Sequence, residues 1–336
     1  MSLSSMPRIT PARLLPRTAG LVVLAASALT AAALFSMKGA VAIEPADSAR
    51  APVAATLPGR IVFARAGDIW SLANGRVEPV TREGGWLQPD LSSDGTKILA
   101  VGMYASYSDL FVMDPDGTAQ RQITRNKHAP LDDSDWAFHP QWAPDGQSLA
   151  FITDRSSFYP MLWRVNADGT GLRQLTFPAH GLDAIDSFAW SPDGRSIAAT
   201  RFLSGQSQIV LIDVGRPAGA RALTNAARGA YDPAWSPDGA YLAYVTREIG
   251  KNVVWVVDVQ NPDRPVPIAE PEIARSPVWS PHGNAVAYIG MGSGAFEIYS
   301  VDLSLDGSQP IAPGRPAAVT VQFGIDPVSG LSWAGL

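Results

Sequence analysis

From residue 60 onward the chain consists of short apolar runs broken by Gly, Pro, Asp and Ser. No stretch carries the 3.6-residue period of an amphipathic helix. One pattern recurs: an apolar residue, a small residue, Pro or Ser, Asp (His282 in the last copy), then Gly. It spans Leu91 to Gly95, Trp142 to Gly146, Trp190 to Gly194, Trp235 to Gly239 and Trp279 to Gly283, with successive glycines 51, 48, 45 and 44 residues apart. After each turn comes an apolar strand (Ile98 to Val101, Leu149 to Thr153, Ile197 to Thr200, Leu242 to Thr246, Val286 to Ile289). A polar or aromatic loop then leads to a third strand ending near an acid or amide, as in Leu110 to Asp114 and Ile209 to Asp213. Turns such as Asp116-Gly117 and Asp168-Gly169 lead to short outer strands, Arg121 to Thr124 and Arg173 to Thr176. Asp-Gly between β-rich runs is a strong hairpin signal, because glycine accepts the positive φ of a tight turn. Each period therefore predicts one four-stranded sheet.

The two ends predict a sixth sheet. Residues 60 to 81 read as second, third and fourth strands (Arg60 to Ala64, Asp68 to Leu72, Val77 to Thr81), and the missing first strand is Leu331-Ser332-Trp333-Ala334. The predicted fold is all-β: a six-bladed β-propeller of four-stranded blades over residues 60–336, closed by pairing of the C-terminal strand with the N-terminal blade. Closure protects both sheet edges. The recurring Trp142, Trp190, Trp235, Trp279 and Trp333 are expected to pack between blades.

The first residues differ in kind. Arg8, Arg13 and Arg17 precede a charge-free run from Thr18 to Met37, long enough for a helix spanning roughly 30 Å. Ala40-Val41-Ala42 offers a small-x-small cleavage site. Residues 1–42 are thus expected to be a signal peptide or an N-terminal hydrophobic helix anchoring the chain to the membrane, and 43–59 a Pro- and Ala-rich linker. Arginines before the run place the body outside the cytoplasm.

Charge and composition narrow the function. Residues 51–336 carry 21 Lys and Arg against 29 Asp and Glu, a net −8. No basic stripe is present, so nucleic acid is excluded as a partner. Cysteine is absent, and the four histidines form no metal-ligand spacing. No cofactor is expected, calcium being the cation that oxygen-rich loops would suit. The Ser-Pro-Asp-Gly turns lack the carboxylates for a calcium shell and read as turn chemistry.

The units Trp190-Ser191-Pro192-Asp193-Gly194 and Trp235-Ser236-Pro237-Asp238-Gly239, each followed by an apolar strand and an Asp-ended third strand, resemble the WD-type repeat of the TolB propeller. Related repeats occur in the propellers of prolyl oligopeptidase and dipeptidyl peptidase IV. The resemblance implies an exported propeller that docks onto other proteins. TolB also carries an α/β domain before its propeller, for which the linker at 43–59 leaves no room. The hydrolase domain of the peptidases has no counterpart within the repeats.

Candidate chemistry lies on one face. Gly330-Leu331-Ser332-Trp333-Ala334 approximates a nucleophile elbow, but Ser332 falls inside the predicted closing strand rather than at a strand-to-helix turn. The connection from Thr124 to Trp142 holds 17 residues, against 13 before Trp190, 10 before Trp235 and 9 before Leu91. It carries Asp132, Asp133, Asp135, Trp136 and His139. Outer-strand connections share a face with the loops between strands two and three, which places this segment near Tyr104, Tyr107, Phe158 and Tyr159. Other connections bring Asp183, Asp186, Tyr231, Asp232 and Arg275 to the same central opening. Long loops on a rigid ring concentrate function. A mouth of acids and aromatics suits a cationic peptide segment, a sugar or a hard cation. The expectation is a non-catalytic extracytoplasmic module binding a protein or peptide partner of the cell envelope. An enzyme acting on a carbohydrate or lactone, with or without a divalent cation in the channel, and a structural subunit of a membrane-associated complex are the alternatives.

Overall fold

Alternate residues of each second strand serve two different cores, which gives the molecule its architecture. In the second blade Ile98 and Ala100 pack toward the first blade, while Leu99 and Val101 pack toward the third. In the fifth, Leu242 and Tyr244 face the fourth blade, and Ala243 and Val245 the sixth. A strand whose side chains alternate between faces can bury both only when a sheet lies on each side. Six hydrophobic clusters result, one between each pair of neighbouring blades.

A computed structural model describes residues 56–335 except 131–133, 156–158, 178–183, 204, 293, 306–309 and 312–314. The expected signal peptide or N-terminal helix, with most of the linker, lies outside these residues. Among the described residues there are six four-stranded antiparallel sheets and no helix. The chain enters through the outer three strands of the first blade (Arg60–Arg65, Asp68–Ala73, Arg76–Pro79). The second to fifth blades begin with inner strands Trp86–Leu91, Ala137–Trp142, Ile185–Trp190 and Ala230–Trp235. The sixth begins with Ala274–Trp279. Its outer strand, Ala317–Ala318, follows a small separate hairpin of Ser304–Leu305 and Pro310–Ile311.

Closure occurs as the sequence predicts. Ser332–Ala334 pairs with Val62, Ile61 and Arg60 and supplies the first blade's inner strand. Trp333 is buried between the sixth and first blades, and its indole N–H donates to the Pro58 carbonyl at 2.7 Å. The equivalent tryptophans pack against the preceding blade. Trp235 donates to Ala189 O at 3.2 Å and Trp279 to Ala234 O at 3.1 Å.

The Ser-Pro-Asp-Gly turns are self-contained. In the second blade Asp94 accepts from the Ser92 hydroxyl (2.6 Å) and the Thr96 N–H (3.0 Å), and the same bonds recur at Asp193 and Asp238. These bonds to the charged form hold the Asp94 carboxyl down at about 2. The sixth blade carries His282 in the acid's place, and there the Ser280 hydroxyl donates to Asn284 Oδ1 instead.

A second recurring device fastens the outer strands. Thr124 Oγ1 accepts from the Leu110 N–H and donates to buried Asp109, both at 2.9 Å, and Thr81, Thr224 and Thr320 repeat it with Asp68, Gln208 and Glu297. Replacing Thr124 by Val takes the acceptor from the buried Leu110 N–H and one of three donors from Asp109, which keeps the Asn126 N–H and the Gln122 amide, so a loss of about 1–3 kcal/mol is expected in urea unfolding. Thr124→Ser should recover most of it.

Candidate functional site

The inner strand of a blade is a sheet edge, with backbone donors facing the central opening rather than another strand. A β-bulge resolves this. In the second, third, fifth and sixth blades the register shifts three residues before the tryptophan position (Leu91 in the second blade). There Gln88, His139, Asp232 and Ser276 adopt φ of 49°, 46°, 53° and 50°. Left-handed conformations in non-glycine residues cost of order 1–3 kcal/mol each. Those at His139, Asp232 and Ser276 are held by bonds between blades. The His139 N–H donates to Gln88 Oε1 at 2.8 Å, the Asp232 N–H to Ser187 Oγ at 3.3 Å and the Ser276 N–H to Asp232 Oδ2 at 3.0 Å. Three of the four bulges, those at His139, Asp232 and Ser276, thus turn their N–H onto the same position of the preceding blade. The result is a polar belt around the opening.

The belt brings charges together at one mouth. Antiparallel pairing of Ala230 with Thr246 and of Arg275 with Ile289 puts the starts of the inner strands at the end of the blades that bears the loops between strands two and three. His139, Asp186, Asp232, Arg247 and Arg275 interact electrostatically there. Burial pushes the Asp186 carboxyl up, with Asp232 adding to the rise and His139 and the two arginines opposing it. Burial pushes the His139 imidazole below its ordinary value despite Asp186 and Asp232, so it is neutral at neutral pH. Arg247 stands over Tyr231, its guanidinium carbon 4.2 Å from the ring centroid.

Other candidates fall in different surroundings. Asp135 is only 3% exposed. Its carboxylate lies 3.3 Å from His128 Nε2 and 3.5 Å from Arg155 Nη1, and its N–H donates to Asn126 O, so it folds the long connection onto itself. Trp136 is half-buried, stacked on Phe138 with centroids 5.9 Å apart, and its N–H donates to Asp154. Tyr104 and Tyr107 stack at 4.4 Å, and Tyr159 is half-buried beside the start of its blade's third strand. Asp132, Asp133, Phe158 and Asp183 lie outside the described residues. Ser332 is no nucleophile elbow: it lies in a strand, where its hydroxyl donates to Asp90 Oδ1 at 2.8 Å and accepts from the Leu91 N–H. Among the described residues no three His, Asp or Glu side chains converge as metal ligands, the geometry calcium would need.

Sequence reasoning missed Gln88, Ser187 and Ser276 of the belt, and Arg247 of the mouth. A signal for the first three existed, since the position three before Leu91 or the inner-strand tryptophan is polar in every blade from the second to the sixth. It also missed exposed apolar residues. Among the described residues six large hydrophobics are exposed: the already named Tyr104 and the unforeseen Phe177, Phe202, Ile249 and Val321 sit at the mouth end of the blades, and Leu172 lies at the other. Ile249 is 81% and Phe177 64% exposed.

A closed ring of six four-stranded sheets defines the described residues as a six-bladed β-propeller. The profile of the TolB beta propeller domain matches residues 179–322. The fold is shared with TolB from Acinetobacter baumannii at a TM-score of 0.65 and 18% identity, over 84% of this chain and 68% of that one. A chain of a nidogen/laminin complex aligns at 0.61 with 11% identity, covering 81% of this chain and 97% of its own. An oligogalacturonate lyase in complex with manganese aligns at 0.50 with 13% identity, over 74% and 72%. A segment of 61 residues, 18% of the chain, is 41% identical to the uncharacterized peptidase YuxL of Bacillus subtilis (strain 168), and it spans 9% of that protein.

Proposed function

We propose that the chain is an extracytoplasmic binding module whose mouth face takes a protein or peptide partner of the cell envelope. The observation that carries this reading is the concentration of exposed apolar side chains on that face, around a charged opening. Large exposed hydrophobic groups on a folded surface mark interaction sites, with aromatic and arginine side chains as the usual anchors. The arginine-flanked apolar run ending near Met37 supports the extracytoplasmic location. The matched nidogen/laminin chain supports partner binding, being a propeller held in a protein complex. The lyase shares the architecture, so the reading rests on the face and not on the fold.

Phe177→Ser combined with Ile249→Ser removes two exposed anchors while leaving the blade cores untouched. Crosslinking of the full chain in its native envelope should capture a protein partner, and the double variant should lose at least about tenfold of that yield, the effect of one strong anchor. Undiminished capture by the variant would assign the partner to another surface. Absence of any partner, with turnover of a glycoside or lactone by the purified chain, would replace binding by catalysis.

A further inference from the structure

The mouth holds two carboxylates and two guanidinium groups that do not neutralise one another by contact. No ion pair within 4.0 Å joins Asp186 or Asp232 to Arg247 or Arg275 among the described residues. Opposite charges on flexible surface side chains usually find each other. Here the fold keeps them apart. Asp232 is oriented by the Ser276 N–H on Oδ2, which leaves Oδ1 unused. The Arg247 guanidinium stands over the Tyr231 ring, a cation–π contact that uses none of its N–H donors on a carboxylate. Asp186 projects from the inner strand of the fourth blade, at its own register shift, toward the same opening.

Resting on the peptide-binding reading above, we propose that the mouth selects a peptide segment carrying both a basic and an acidic side chain. The basic group enters between Asp186 and Asp232, and the acidic group docks on Arg247 and Arg275. A ligand of one sign satisfies half of the site and meets like charge at the other half, so the arrangement discriminates by repulsion as well as attraction.

A phage-displayed random nonapeptide library selected on the full-length chain tests this. Clones enriched on the wild type should contain both Lys or Arg and Asp or Glu. Selection on Asp186→Asn/Asp232→Asn should drop the basic residue, and selection on Arg247→Gln/Arg275→Gln the acidic one. Asn at 232 retains an oxygen for the Ser276 N–H, so the belt survives. A wild-type clone made as a fluorescent peptide should lose at least about tenfold in affinity for either double variant and weaken as salt rises. Enrichment of uncharged or single-sign peptides would overturn the charge pairing while leaving peptide binding standing, and enrichment of no peptide at all would overturn both. Should either double variant fail to fold, the composition of the wild-type clones decides alone.

Discussion

Removal of residues 330–336 is expected to abolish cooperative unfolding and to drive the chain into multimers. The deleted segment supplies the inner strand of the first blade, and its hydrogen-bonded pairing with Arg60, Ile61 and Val62 is the seam where the two ends of the ring meet. Without it those residues become an open strand edge beside an exposed core between the sixth and first blades. Trp333→Ala tests the packing part separately. The side chain is buried, and such truncations cost about 3–5 kcal/mol, a large share of the 5–15 kcal/mol that typically stabilises a folded domain. Urea unfolding followed by tryptophan fluorescence, with size-exclusion chromatography of the truncated chain, measures both effects. A truncated chain that stays monomeric with an unchanged midpoint would show that the five complete blades need no seal.

Acidification from pH 7.5 to 4.5 is expected to stabilise the wild type relative to Asp90→Asn by about 2 kcal/mol. Asp90 sits where the seam meets the second and third blades, accepting from the Ser332 hydroxyl at 2.8 Å and from the Trp142 N–H at 2.7 Å. Burial raises its carboxyl from 3.8 to about 6, with the Trp142 and Ser332 bonds partly opposing the rise. A carboxyl that binds its proton more tightly in the folded state favours folding as that proton is taken up. The ionised form therefore costs the fold about 3 kcal/mol at pH 7.5, and most of that cost disappears as pH falls through 6 toward 4.5. The variant has no such group, and subtraction removes the contribution of other carboxylates, which are common to both chains. Equal pH dependence of the two unfolding midpoints would mean that Asp90 does not titrate in this window.

Retention of an ionisable group there has a geometric reason. Two donors approach from opposite sides, the Ser332 hydroxyl from the closing strand and the Trp142 N–H from the third blade. A carboxylate accepts from both. An amide presents one oxygen and one NH2 group, and would turn a donor toward one of them. The seam is thereby linked to the blade beyond its immediate neighbour.

Local chemistry was legible in the chain wherever it repeats. Asp94, Asp193 and Asp238 act within their own turns, so reading them as turn residues needed no knowledge of neighbouring blades. The tryptophan spacing fixed the blade count, and Trp333 at one end with Arg60 at the other predicted the seam. Sorting the acids of the loop face was beyond such reasoning. Asp135 stands two residues ahead of an inner strand and Asp186 is the second residue of one. The first turns inward to His128 and Arg155, and the second faces the opening. Arg247 escaped notice because it ends a second strand, with nothing nearby in sequence to mark it as a partner of Tyr231.

The sequence by itself determined the all-β repeat, the six blades and the closing strand, because strand alternation and tight turns depend on residues a few positions apart. Only the tertiary structure decided which side chains share the mouth. His139, Asp186, Asp232 and Arg275 come from four different blades and Arg247 from a second strand, and their approach depends on the curvature of the closed ring and the direction of each bulge. No pattern along one strand encodes that distance.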